Sequence, residues 1–543
     1  MLTVSNVSVA FSGKKLYDEV NLKFTPGNTY GVIGANGAGK STFLKVLEGK
    51  LAPTTGNVSM EANERMSSLV QNHFAFDEFT VLDTVLQGHK ELYEIKAEMD
   101  AIYLHDPFTD EDGIKAGELS ARFEELNGWS AETEAQQLLR NVGVDEADTY
   151  NLTGDLPETT KVKVLLAQAL FGNPDILILD EPTNGLDTKT IAWLEDFLAD
   201  YNNTVIVVSH DRHFLNAVST MILDVDYGKI KLFVGNYDFW KESSELALRL
   251  QSNSNAKKEE QIKQLQEFVA RFSANASKSK QATSRKKQLE KITLDDIQPS
   301  TRKYPYIKFE ILREIGNDLL RVENISKTID GVKILDDISF TLAPDDKTLI
   351  MAQSDSTTTV LLDILAGRIE PDSGTVTWGV TTTQDYLAKD MAENFEKPEM
   401  QILDFLRDYA SKEENDNTFL RGLLGRMLFK GEDSEKTLDV LSGGEKVRVM
   451  LSKLMLTKAN VLILDDPTNH LDLESITALN DGLVDYKGSL IFTSHDHTFA
   501  QTIANHIVAV SDQGAVERAD TSYDEYITNE DVQKQLADKQ LVL

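Results

Sequence analysis

Gly34-Ala35-Asn36-Gly37-Ala38-Gly39-Lys40-Ser41 lies between an apolar run, Thr29–Ile33, and a helical pattern, Phe43–Leu47. Strand, loop and helix in that order are the setting a P-loop requires. The glycines let backbone N–H groups approach phosphate oxygens, and the helix N-terminus adds partial positive charge. In that setting Lys40 reaches the β- and γ-phosphates and Ser41 ligates Mg²⁺, while Gly34, Asn36, Gly37, Ala38, Gly39 and Thr42 complete the candidate phosphate cradle. Asp180 closes a second apolar run, Ile176–Leu179, where a carboxylate can hold Mg²⁺ directly or through water. Glu181 beside it is placed to polarise an attacking water as a general base. His210 follows a third run, Val205–Val208, and is expected to contact the γ-phosphate. Gln71, after Ser67–Val70, is a candidate to ligate Mg²⁺ or position water, and Phe11 a candidate to stack on adenine. The chemistry is phosphoryl transfer from a nucleotide.

The pattern occurs twice. Ile176–Asn184 recurs as Val461–Asn469, and Val208–Asp211 as Thr493–Asp496, both displaced by 285 residues. Upstream, Asn21–Pro26 resembles Ser339–Pro344 at a displacement of 318, so the first copy holds about 33 extra residues. They fall within residues 88–134, where helical patterning in Lys90–Met99 and Ser120–Asn127 flanks a turn-rich His105–Gly113. This predicts an inserted helical hairpin. The chain divides into a first domain at 1–241 with its insertion at about 88–134, a basic helical linker at 242–317, and a second domain at 318–543. Short apolar runs alternating with helical periodicity predict an α/β fold, with a parallel sheet core and crossover helices in each copy.

The second copy is altered at its loop, Ala352–Thr359. There Thr358 stands where the first copy has Lys40, Asp355 where it has Gly37, and Lys389 where it has Gln71. Asp466 replaces Glu181 and is one methylene shorter. Thr358, Thr359, Asp465, Asp466 and His495 therefore outline a degenerate second site, without the lysine charge and with bulk in place of glycine. Leu441-Ser442-Gly443-Gly444-Glu445 has the reverse history: its counterpart is Leu156-Pro157-Glu158-Thr159-Thr160.

In combination these motifs resemble the ATP-binding cassette superfamily. Gly34–Ser41 resembles its Walker A, Asp180-Glu181 its Walker B, and Ser442–Glu445 its signature motif. Gln71 and His210 resemble the Q- and H-loops, and Gly185-Leu186-Asp187 and His470-Leu471-Asp472 the D-loops. The resemblance implies cassettes packed head to tail, each ATP lying between one Walker A and the other cassette's signature. It implies one complete site, from Lys40, Asp180, Glu181 and His210 with Ser442, Gly443, Gly444 and Glu445, and one defective site. Two cassettes on one chain with a long linker are similar to the ABC-F group. Gly235–Trp240 resembles that group's motif before the linker, and Phe268–Lys278 with Gln281–Lys291 its linker tip. That resemblance implies ATP and Mg²⁺ as ligands, and a ribosome and tRNA as partners through the linker and the inserted arm. It also implies a cytoplasmic monomer whose two cassettes pair within the chain.

Charge along the chain bears on those partners. The 543 residues carry a formal net charge of −33, which argues against a generally basic surface. Yet Ser254–Ile292 has ten basic and four acidic side chains, a local +6. Arg271, Lys278, Lys280, Arg285, Lys286 and Lys287 are the candidate RNA contacts there. A solvated helical hairpin with exposed lysines is the bland alternative. The absence of cysteine removes thiol catalysis and thiolate-ligated metals. No stretch approaches the ~20 apolar residues of a membrane span, and the N-terminus has no export-signal pattern. Three other readings stay open: an ATPase subunit of a membrane transporter, a chromosome or DNA-repair ATPase, and a regulatory scaffold with negligible turnover.

Overall fold

The structure is a computed structural model, and it describes residues 1–11, 14–105, 109–247, 249–250, 302–395, 397–539 and 541. The six candidate RNA contacts and the helical hairpin expected of the linker lie outside the described residues. The first copy contributes β1 (Thr3–Phe11), β2 (Lys14–Lys23), β3 (Thr29–Ile33), β4 (Thr55–Ser59), β5 (Met66–Ser68), β6 (Ile176–Asp180), β7 (Thr204–Val208), β8 (Met221–Asp226) and β9 (Lys229–Val234). The second contributes β10 (Leu320–Ile329), β11 (Val332–Leu342), β12 (Lys347–Met351), β13 (Ser373–Trp378), β14 (Gln384–Leu387), β15 (Val461–Leu464), β16 (Ser489–Phe492), β17 (His506–Ser511) and β18 (Gly514–Ala519).

The chain forms two compact units. One comprises Met1–Glu64, Asn202–Val207 and Leu215–Thr301. In it β2, β1 and β4 make an antiparallel sheet. β3, buried along its whole length, pairs in parallel with β8, which pairs antiparallel with β9. β1 and β2 are bulged where Asn6 and Glu19 take positive φ. Gly56 crosses so close that a Cβ would lie 2.2 Å from the Asn6 carbonyl oxygen, so no side chain fits there.

The other unit comprises Arg65–Tyr201, Val208–Phe214 and Arg302–Leu543. It holds the whole described second copy, which repeats those features 318 residues on. The antiparallel sheet is β11, β10, β13; the positive-φ residues are Asn324 and Asp337; and Gly374 lies against Asn324. A six-stranded sheet runs β14, β15, β16, β12, β17, β18, with every pairing parallel except β17–β18. Its central strands β15 and β16 are buried on both faces. Leu462, Leu464, Leu490 and Phe492 face one apolar core, while Val461, Ile463 and Ile491 face the other. That is why these strands read as continuous apolar runs with no alternation. The expected parallel core is present, and each copy adds an antiparallel sheet.

The insertion forms two helices, Lys90–Tyr103 and Asp110–Glu125, that pack on each other. Arg122 pairs with Glu91 at 2.7 Å and Lys115 with Glu98 at 2.5 Å across them. The second helix begins ten residues before the patterned Ser120, and Asp112-Gly113, read as a turn, lies in its first turn. The reason is a capping box. The Asp112 N–H donates to Thr109 Oγ1, and the Thr109 N–H donates back to the Asp112 carboxylate at 2.8 Å.

Candidate functional site

The loop after β3 is built on glycines that only glycine permits. Gly34, Gly37 and Gly39 have φ of 156°, 78° and 103°. A Cβ on Gly34 would lie 2.6 Å from the Val225 carbonyl oxygen, while Gly37 has open space around it. The helix Lys40–Leu47 starts directly after Gly39, and Gly39, which opens it, offers no side-chain cap. Its first N–H groups are thus left for a ligand. The Lys40 ammonium is buried and donates to the Gly34 carbonyl at 2.6 Å, folded back over the loop. Ser41 is exposed beside it. Asn36 and Gly37 are exposed in the loop, and Ala38 and Thr42 are half-buried. A loop of this shape, with a lysine arched across it, fits a polyphosphate. Phe11 closes β1; its side chain falls outside the described set, and with it the adenine-stacking assignment.

Gln71, Asp180, Glu181 and His210 all belong to the other unit, which brings them together. The Gln71 amide donates to the Asp180 carboxylate at 2.6 Å. Oxygen donors of that type suit Mg²⁺. Glu181 follows β6 at φ 52°, a left-handed conformation uncommon for a glutamate. Its carboxylate accepts the His210 backbone N–H at 3.1 Å and lies 3.4 Å from His210 Nε2. The two residues assigned to catalysis are therefore in contact. Asp466 takes the same left-handed conformation in the second copy, at φ 48°.

The second copy fills its own site. The helix Asp355–Leu365 ends where its counterpart ends but begins at Asp355, the position of Gly37. Three residues of the loop have become the first helical turn, because Asp355, Ser356 and Thr357 favour the right-handed helix over a glycine-only loop. The Asp355 carboxylate accepts the Lys389 ammonium at 2.5 Å and lies 3.0 Å from His495 Nε2. Burial raises the Asp355 pKa, but the His495 and Lys389 contacts outweigh it and hold it well below the usual carboxylate range. The Asp355 hydrogen bond likewise pushes His495 above its ordinary value. Thr358, at the lysine position, donates to the Asp355 carbonyl at 2.9 Å. Asp465 accepts the hydroxyls of Thr359 and Thr493, both at 2.7 Å.

Ser442 opens the helix Gly443–Thr457 with a capping box. Its backbone N–H donates to Glu445 at 2.9 Å, and the Glu445 N–H donates to its hydroxyl. The two glycines have a local packing reason. A Cβ on Gly443 would lie 2.9 Å from the His470 ring, and one on Gly444 2.7 Å from the His470 carbonyl oxygen. In the first copy Glu158 and Thr159 stand at those positions and Gly185 stands where His470 does. Bulk has moved from one side of the contact to the other.

One cluster was missed in the sequence. Asp211-Arg212-His213 lie against second-copy residues of the same unit. Arg212 donates to Thr477 Oγ1 at 2.8 Å, and the His213 and His497 rings stack with centroids 4.2 Å apart. Burial, and then the charge of Asp496, push Asp211 up to about 6. The repeat of an aspartate after His210 and His495 was the available signal.

Comparison with known proteins follows the same lines. The ABC transporter family matches at residues 17–184 and 335–469, and a second model of the same description matches 223–309. The chain is 60% identical to an uncharacterised ABC transporter ATP-binding protein, YkpA, of Bacillus subtilis, over 99% of each chain. It is 44% identical to YbiT of Escherichia coli O157:H7, described as a probable ATP-binding protein, over 98% of this chain and 100% of that one. An archaeal ribosome recycling factor, aABCE1, solved with the ribosomal stalk protein aP1, shares the fold. Its TM-score is 0.59 at 15% identity, covering 98% of this chain and 92% of that one. The chain belongs to the ABC transporter family of ATP-hydrolysing cassette proteins and carries two such cassettes in one polypeptide, in the manner of the ABC-F group.

Proposed function

We propose that this protein hydrolyses ATP at one composite site and uses the resulting cycle of cassette closure and release to act on the translating ribosome near the tRNA exit site. The observation that carries the hydrolytic half is the contact of Glu181 with His210, set against the internally occupied Asp355–Lys389–His495 cluster of the other copy. Lys40 and the glycine loop bind the phosphates. Ser442, Gly443, Gly444 and Glu445 complete the site when ATP draws the cassettes together. Glu181 accepts a proton from the attacking water as the γ-phosphorus–oxygen bond to the β-phosphate breaks, and His210 orients its carboxylate. Ser41, Gln71 and Asp180 are the residues that would hold Mg²⁺, which neutralises phosphate charge when bound.

The ribosomal half is supported by the +6 of Ser254–Ile292 within a chain of −33, and by the resemblance of that segment to ABC-F linkers. Residues 88–134, by contrast, have thirteen acidic and four basic side chains. A −9 hairpin repels phosphate, so its share of the contact falls on basic protein surface and not on RNA. The fold-related archaeal factor is itself described as a ribosome recycling factor. Among the described residues no helix is long and apolar enough to cross a membrane. A transporter-subunit role would therefore need a separate membrane partner.

The test is co-sedimentation of Glu181→Gln with purified ribosomes, with and without ATP. The arrested chain pellets only with ATP. Lack of ATP-dependent pelleting, with ATP binding confirmed, would overturn the translation reading. Neutralising Lys278, Lys280, Arg285 and Lys286 lowers ribosome affinity and flattens its salt dependence.

A further inference from the structure

A family with two cassettes per functional pair implies two bound nucleotides. We propose that this chain binds one, because the Asp355 carboxylate occupies the phosphate position of the second site as a tethered anion. This goes beyond the assignment of hydrolysis to a single site, since a site that cannot hydrolyse can still bind; it relies on that assignment only for ATP as the nucleotide.

Three independent features close the second site. The first is backbone. The glycine loop of the first copy presents its N–H groups through left-handed φ values at Gly37 and Gly39. In the second copy those positions are Asp355 and Thr357, and they lie in the opening turn of the helix Asp355–Leu365. The loop that would wrap a phosphate has been wound into the helix. The second is charge. Lys389 and His495 stand at the positions of Gln71 and His210, which are expected to face a nucleotide. Here both are spent on one carboxylate, Lys389 at 2.5 Å and His495 at 3.0 Å, with Asp466 a further 3.6 Å from Lys389. A triphosphate entering would meet the Asp355 charge at short range while its cations were engaged. The third is the missing lysine. Thr358 is buried and turns its hydroxyl to the Asp355 carbonyl. No ammonium replaces Lys40 at that position in the chain. Asp465, the carboxylate that would hold the metal, is 1% exposed, and each of its oxygens already accepts a threonine hydroxyl.

The arrangement also accounts for a substitution that is otherwise a liability. An aspartate in a phosphate loop repels substrate. On the first turn of a helix, between a lysine and a histidine, it is favourably placed for the helix dipole and for both cations.

The experiment is equilibrium dialysis of full-length Glu181→Gln against radiolabelled ATP and Mg²⁺, repeated with Lys40→Ala after its unfolding midpoint has been checked. The expected stoichiometry is one ATP per chain for Glu181→Gln and none for Lys40→Ala. Two per chain, or one retained by Lys40→Ala, would overturn the closed second site while leaving hydrolysis at the first intact. No binding by Glu181→Gln would overturn the assignment of the first site itself, and with it the count of one. Glu181→Gln removes only a charge, so its result stands even where Lys40→Ala proves unstable.

Discussion

The two cassettes fold to the same plan and differ at the points where a nucleotide would be handled. Both have bulges at equivalent residues, Asn6 and Glu19 in one, Asn324 and Asp337 in the other. Both hold the residue after the metal-position aspartate in a left-handed conformation, Glu181 and Asp466. The left-handed backbone at that position is thus common to both copies whatever residue occupies it. The loops have diverged in physical kind. The first copy keeps an open glycine turn with its lysine arched over the backbone. The second opens its helix three residues earlier and pairs Asp355 with Lys389 and His495. A binding site that loses its ligand does not stay open: unsatisfied buried groups are costly, and substitutions that pair them are favoured.

The largest test of this asymmetry is kinetic. Glu181→Gln lowers the steady-state ATPase rate by about 10²–10⁴-fold, the usual share of a general base. Asp466→Asn leaves the rate within about two-fold. Equal losses in the two variants, measured by phosphate release, would make the copies functionally equivalent and end the comparison.

The exchange of bulk at the signature position supplies a second. Gly443→Glu, which copies Glu158 of the first cassette, places a Cβ 2.9 Å from the His470 ring, and costs about 1–3 kcal/mol of stability as overpacking. His470→Gly, which copies the first cassette, recovers half or more of that in a double-mutant cycle read by denaturant unfolding. Additive effects would show that the glycines are retained for another reason than this contact.

Two ionisable groups sharpen it further. His506 is buried between Asp346 and Glu517, both at 3.0 Å, and its counterpart in the first copy is Met221. Burial lowers its pKa, but those two carboxylates outweigh it and hold it at about 9. A raised imidazole stabilises fully below its ordinary value and loses that contribution as pH rises toward 9. His506→Gln therefore destabilises by about 2 kcal/mol at pH 6. The deficit shrinks as pH rises toward 9 in thermal unfolding. Asp211 moves in the same direction from a different cause, burial and a neighbouring carboxylate. Its value near 6 lies above that of an unfolded aspartate, so stability falls as pH rises through that window. Asp211→Asn, which keeps the hydrogen bond from the Phe214 N–H, stabilises by about 1 kcal/mol at pH 7.5 and has little effect near pH 4.

The sequence alone determined the repeat, the strand–loop–helix of the phosphate loop and the identity of the residues lost from the second copy. These are local facts: a glycine or lysine at a fixed spacing constrains the backbone whatever surrounds it. It also located the inserted hairpin, although it placed the second helix ten residues late, because Asp112-Gly113 reads as a turn until the Thr109 cap is seen. Only the tertiary structure decided the rest. Lys389 and His495 are 106 residues apart, and nothing in their spacing shows that they converge on Asp355. Gly443 and Gly444 read as ligand-binding residues, and only the structure adds that His470 is pressed against them. The Asp211–Asp496 cluster arises where two segments of one unit meet, across 285 residues of chain. Charges and volumes act through space, and the pairing of distant residues that satisfies them is set by how the sheets and helices pack.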